Sequence, residues 1–277
     1  MKKTLITLLA LCGVASADTV TIAPLTSSEG WTLGHQNTQK NKDAVLDTSA
    51  ATLTLTDADW SRGYGVYTLT DAITLTNEAD TLTVSFTINT TNLNSLVTGT
   101  LVGSGKAITL GHGSYSDKGK NGGNGIQSGI STDTTGVFYN MQASNTGGVF
   151  VTPDKTVDDT FTANTPLTLT TTIEWDTEKS LFVASLSYGS TSLSSYDLGT
   201  SYTLDKLVFS LDGNSTQTVS GVSISANIVP EPATATLSLL ALAGLAARRR
   251  RKYFNLTSHL SRVATRQRVA TLYYSPL

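Results

Sequence analysis

Three carboxylates at alternate positions, Glu174, Asp176 and Glu178, form the pattern in this chain with the clearest chemical potential. On a β-strand, residues i, i+2 and i+4 face one way. The outer pair, Glu174 and Glu178, would then straddle a bond as the nucleophile and acid/base of retaining glycoside hydrolysis do. Against this stands Asp176-Thr177-Glu178-Lys179, a polar tetrapeptide between two alternating apolar stretches, which suits a hairpin turn. A turn scatters the three carboxylates. That reading is preferred, and no catalytic residue is assigned.

Other chemistry is thinly supplied. Oxygen ligands of the kind calcium takes occur as Asp117, Asn121 and Asn124, and as Asp154, Asp158 and Asp159. Their spacing fits no EF-hand loop, and solvated loop acids account for them. Between residues 18 and 229 the imidazoles are His35 and His112, and the chain's single cysteine is Cys12. That is too little for a zinc site and offers no recognisable setting for a nucleophile with its base. Trp31, Trp60, Tyr64, Tyr67, Tyr139 and Tyr196 would be stacking surfaces for sugars, though packing in a core explains each of them. Asn89-Thr90-Thr91 and Asn214-Ser215-Thr216 match the N-glycosylation pattern, as a chain rich in Thr and Asn does by chance.

The elements that must position these residues read as strands. At 81–90 (TLTVSFTINT), Leu82, Val84, Phe86 and Ile88 alternate with hydroxyl residues. Such a strand covers a core on one side and meets water on the other. Similar stretches lie at 51–56, 65–70, 136–142, 166–175, 181–188, 204–211 and 219–228. Thr serves them well because its branched Cβ suits the pleat. Many short strands separated by turn residues predict an all-β antiparallel sandwich over 18–228. The stretch 111–129 (GHGSYSDKGKNGGNGIQSG) holds so many glycines that it reads as a surface loop. It lacks the strand-to-helix context of a phosphate-binding loop.

The long hairpin at 166–189, a following strand and a closing strand ending before Pro230 resemble the C-terminal half of concanavalin A-like, laminin-G-like jelly rolls. The resemblance implies that the closing strand pairs back near the N-terminus, and it would allow one structural calcium; no other cofactor is expected. Glu174, Asp176 and Glu178 are also similar to the motif of a family of retaining β-glucanases with that fold, although Thr177 departs from its apolar pattern. A parallel β-helix would need a repeated rung, and none is found.

Charge is segregated along the chain. Residues 18–229 carry 9 Lys+Arg against 20 Asp+Glu, a balance of −11, although the whole chain sums to −2. An acidic centre argues against a nucleic-acid partner. Residues 1–17 (MKKTLITLLALCGVASA) have a basic start, an apolar run and an A-x-A site at Ala15-Ser16-Ala17, the pattern of a cleaved secretory signal peptide. Its removal by signal peptidase would take Cys12 with it.

At the other end, residues 229–252 join Pro230, Glu231 and Pro232 to an apolar run at 233–247 and a basic cluster, Arg248, Arg249, Arg250 and Arg251. This stretch resembles a PEP-CTERM protein-sorting signal. The resemblance implies export across an inner membrane of Gram-negative type, transient retention there, and processing by an exosortase near the triplet. It further implies a cell-surface or extracellular destination, associated with extracellular polysaccharide. The mechanics agree: the apolar run makes a helix of about 22 Å, short of a roughly 30 Å hydrocarbon core. Arginines beyond it hold that end inside. A non-enzymatic structural or adhesive protein is therefore expected, with a carbohydrate-binding module as the alternative and a Glu174/Glu178 glycoside hydrolase as the second. Residues 253–277 form a basic tail with no assigned role.

Overall fold

The computed structural model describes residues 17–35, 44–57, 62–90, 95–114, 124–132, 162–212 and 215–229. Its strands are β1 (Asp18–Ile22), β2 (Trp31–His35), β3 (Val45–Asp47), β4 (Thr52–Asp57), β5 (Gly63–Leu75), β6 (Thr81–Thr90) and β7 (Leu96–Gly103). They continue with β8 (Lys106–Ser114), β9 (Asn124–Ser131), β10 (Pro166–Asp176), β11 (Leu181–Tyr188), β12 (Thr191–Gly199), β13 (Tyr202–Asp212) and β14 (Ser215–Ile228). A 3-10 turn, Pro24–Thr26, follows β1. All of the pairings are antiparallel.

Two sheets result. One runs β12-β11-β10-β6-β14-β4-β3, with β1 also paired to β14; the other runs β2-β5-β13-β7-β8-β9. Both bury one face against the other. In β6, Leu82, Val84, Phe86 and Ile88 are all buried while the residues between them are half-buried. Across the gap stand Val97, Leu101, Ile108, Leu110, Leu207 and Phe209. The Phe86 and Phe209 rings meet edge to face at 5.3 Å, a favourable aromatic geometry. Gly99 lies opposite, where a Cβ would collide with the Phe86 ring; glycine there lets the sheets close.

β14 lies at the centre of the eight-stranded sheet. β6 borders it over Gln217–Ser220 and Ser223–Asn227, with an irregularity between, and the other side is shared by β4 over Ser215–Ser220 and β1 over Ile224–Ile228. The closing strand thus pairs with the N-terminal strand, Asp18 opposite Ile228. The long hairpin is also present as β10–β11, followed by two strands before the closing one rather than one. The described residues fall within one unit, Ser16–Val229.

The glycine-rich stretch corrects the sequence reading. Residues 111–114 belong to β8 and 124–129 to β9, paired so that His112 faces Ile126. Glycine is used here for close approach: a Cβ at Gly111 would run into the Val97 carbonyl. The strand expected at 136–142, the signal helix and the apolar helix at 233–247 lie outside the described residues. Among those described, no helix is long and apolar enough to cross a membrane.

Candidate functional site

Glu174, Asp176 and Glu178 do not converge. Glu174 stands exposed on the outer face of β10, opposite Val183. Asp176 closes the strand, and its Oδ1 accepts the backbone N–H groups of Glu178 at 2.9 Å and Lys179 at 3.0 Å. An aspartate that satisfies two amides in this way initiates a turn. The bend covers residues 177–180 and ends at Ser180 with φ 55. Glu178 therefore sits exposed in the turn, off the strand face that holds Glu174. Lys179 reaches from the turn to Asp197 on β12 at 2.8 Å. That hydrogen bond raises the lysine pKa, but the pair is exposed and screened. Trp175, between the carboxylates, turns inward and meets Phe182 edge to face at 5.2 Å.

The other candidates are mostly spent on structure. Trp31 donates its indole N–H to the Pro24 carbonyl at 2.8 Å and packs against Tyr67 at 5.4 Å and Phe209 at 6.2 Å. Tyr196 is buried in the core. Tyr64 lies along Gly34, where a Cβ would meet its ring, and Trp60 and Tyr139 lie outside the described residues. His35 ends β2. His112 is fully buried on the inner face of β8, between Val97 and Ile126 on the neighbouring strands. Desolvation lowers its pKa to about 4, so it is neutral at pH 7.

The calcium candidates divide similarly. Asn124 begins β9, while Asp117, Asn121, Asp154, Asp158 and Asp159 lie outside the described residues. Among those described, no three His, Cys, Asp or Glu gather as metal ligands would. Asn89 sits within β6; Asn214 lies outside.

The outer face of the eight-stranded sheet has a different character. One row across six strands reads Ser195, Ser185, Thr172, Thr83, Ser225 and Thr21. These side chains are half-buried or exposed. In neighbouring rows hydroxyls bond to one another, Thr87 to Thr168 at 3.0 Å and Ser85 to Ser223 at 2.9 Å. On the side of Thr168 and Thr87 the result is a lattice of uncharged donors and acceptors, about 4.8 Å apart between strands and roughly 6.8 Å along them; the row on the other side carries Glu174 and Asp197.

The sequence reading passed over Asp80. Its side chain is 1% exposed. One oxygen accepts the N–H groups of Thr76 and Asn77, each at 2.8 Å. The other accepts the N–H of Val229 at 2.7 Å. Asn77-Glu78-Ala79-Asp80 reads as a turn between strands; a bond spanning 149 residues carries no local signal.

Comparison with known proteins finds distant structural likenesses and one match at the end of the chain. Basic winged bean lectin has 12% identity and a TM-score of 0.46, covering 78% of this chain and 100% of the lectin. Peanut lectin has 10% identity and a TM-score of 0.44, covering 77% and 97%. Lectin II of Ulex europaeus has 12% identity and a TM-score of 0.44, covering 76% and 99%. No curated protein matches the sequence. The family model that matches is the PEP-CTERM protein-sorting motif, over residues 229–252. Directly after the last strand of its antiparallel β-sandwich, this chain carries a PEP-CTERM sorting motif, which implies export and exosortase processing.

Proposed function

We propose that this is an exported protein whose sandwich is a non-enzymatic structural or adhesive cargo at a bacterial cell surface or in the extracellular matrix. The carrying observation is the sorting motif over residues 229–252, immediately beyond β14. Residues 1–17 are the signal peptide, cut after Ala17, and 18–228 the cargo. Pro230, Glu231 and Pro232 mark the processing site, and Arg248 to Arg251 hold the tail on the cytoplasmic side of a Gram-negative inner membrane. Residues 253–277 remain a tail without a role. The scattering of Glu174, Asp176 and Glu178 supports the non-enzymatic reading at that motif. Intact-mass measurement on the extracellular form tests the proposal. The expected product starts at Asp18 and ends near Glu231; an uncut C-terminus refutes it.

A second reading, a carbohydrate-binding cargo, is favoured by the hydroxyl lattice rather than by any aromatic platform. Its neutral donors and acceptors suit a polyhydroxyl surface such as extracellular polysaccharide. A pull-down of the mature protein with insoluble neutral glycans separates the two readings. Retention that disappears when Thr83, Thr172 and Ser185 are changed to Lys supports the second.

A further inference from the structure

We propose that Asp80 is the positioning residue of the processing junction: it pins Val229 and so sets the N-terminal limit of the segment a processing protease can draw out. The inference rests on the sorting reading above and adds a cause for where the cut falls. Over Ile224–Asn227 the backbone is engaged on both sides, and Ile228 is still paired on one. β1 pairs with Ile224–Ile228, and β6 pairs with Ser223–Asn227. Val229 lies just past the ladder, and its N–H is held by the Asp80 carboxylate at 2.7 Å. Charge-assisted bonds of this length are about twice as strong as neutral ones.

The carboxylate is itself well held. Its second oxygen takes the Thr76 and Asn77 amides, Asp80 donates its own N–H to the Asn77 carbonyl at 2.8 Å, and Asn77 Oδ1 accepts the Ala79 amide at 3.0 Å. The β5–β6 turn is thus a preformed seat, with one oxygen left for the end of the cargo.

The residues just beyond Val229 narrow the position further. Proteases commonly take their substrates as added strands, gripping main-chain N–H and C=O groups. Proline has no N–H to offer. With Val229 engaged, and with proline at 230 and 232, Glu231 is the first residue past the sandwich that can donate a main-chain bond to an enzyme. The latch and the two prolines together single out one position. A cut N-terminal to Val229 requires the latch to open and the end of β14 to unzip.

The test uses the full chain, expressed in an exosortase-bearing bacterium as wild type, Asp80→Asn, Asp80→Ala and Leu204→Ala. Leu204→Ala weakens the sandwich through a buried residue of the other sheet. Intact mass of the released form should show one C-terminus beyond Val229 for wild type and for Leu204→Ala. Asp80→Ala should give several C-termini, some within 225–229, and Asp80→Asn a smaller shift. In the purified full chain the Val229 amide should exchange about tenfold faster or more in Asp80→Ala, as expected for losing a hydrogen bond to a charged group. A single wild-type C-terminus in Asp80→Ala overturns the proposal, as does ragged cutting in Leu204→Ala. If wild type is not cut in the cell, the sorting reading fails instead. Proteinase K digestion of the purified full chains then decides the latch: a resistant-core boundary identical in wild type and both Asp80 variants overturns it. Asp80→Asn keeps the shape of the side chain and stands in if Asp80→Ala does not fold.

Discussion

Acidification from pH 7.5 to pH 5 should cost the sandwich about 2 kcal/mol through His112 alone. The ring is fully buried and its pKa is lowered to about 4 by desolvation. In the unfolded chain an imidazole titrates near 6.5. Between those values the unfolded chain binds a proton that the folded chain refuses. Stability is therefore complete above the unfolded value and falls as pH drops toward the folded one. At pH 5 the difference is about thirtyfold in the folding constant, or about 2 kcal/mol, rising to about 3 kcal/mol at pH 4. With a urea slope of about 2 kcal/mol/M, the midpoint moves by about 1 M. Carboxylates titrate in the same range, so the informative quantity is a difference between two proteins. Urea unfolding of wild type and His112→Leu at both pH values isolates the histidine, and His112→Gln serves if leucine does not fit. The variant should lose about 2 kcal/mol less than wild type between the two pH values. Equal losses within about 0.5 kcal/mol would refute the reasoning, and the ring would then have to accept its proton in the folded state.

Other outcomes rest on single contacts. Gly99→Ala drives a Cβ into the Phe86 ring and should cost about 1–3 kcal/mol, read as a lower urea midpoint. Asp176→Ala removes the acceptor for two turn amides and should cost about 1 kcal/mol, while Glu174→Gln on the exposed face stays within about 0.5 kcal/mol of wild type. Trp31→Phe loses the bond to the Pro24 carbonyl. It should cost at least about 1 kcal/mol in urea unfolding, and an unchanged midpoint would mean that the indole N–H is satisfied elsewhere.

Legibility in the sequence depended on whether a strand is half-buried. Leu82, Val84, Phe86 and Ile88 announce β6 because one face is wet, and Leu167, Leu169 and Ile173 announce β10 for the same reason. β7 gave no such signal. All eight of its residues are buried, with Val102 joining Ala107 and Val208 in a small apolar cluster on the outer face and Thr98 bonded to Ser210 at 2.8 Å. With both faces covered there is no alternation to read. The pairing of β8 with β9 was hidden in a glycine-rich stretch: Gly111 serves close strand approach, which sequence alone cannot distinguish from a glycine that serves a loop. The hairpin at Asp176 was legible because its turn chemistry is local. The Asp80 latch was not, because its partner lies 149 residues away.

The place of β14 in the sheet bears on why the sorting motif stands where it does. Without that strand the eight-stranded sheet falls apart into β12-β11-β10-β6 on one side and β4-β3 on the other, and β1 has no partner. Its contacts join residues far apart in the chain, Ile22 with Ile224 for example, and such pairings form late because the chain between them must first be drawn together. A chain exported from its N-terminus therefore cannot complete its core until residues up to 228 are outside. An apolar segment that stalled passage any earlier would hold back the strand on which both halves of the sheet depend. Starting at residue 229, the motif lies directly beyond the last paired residue, Ile228. On the proposed sorting, retention there would cost the sandwich none of its described strands and would leave the cargo free to fold before the tail is removed.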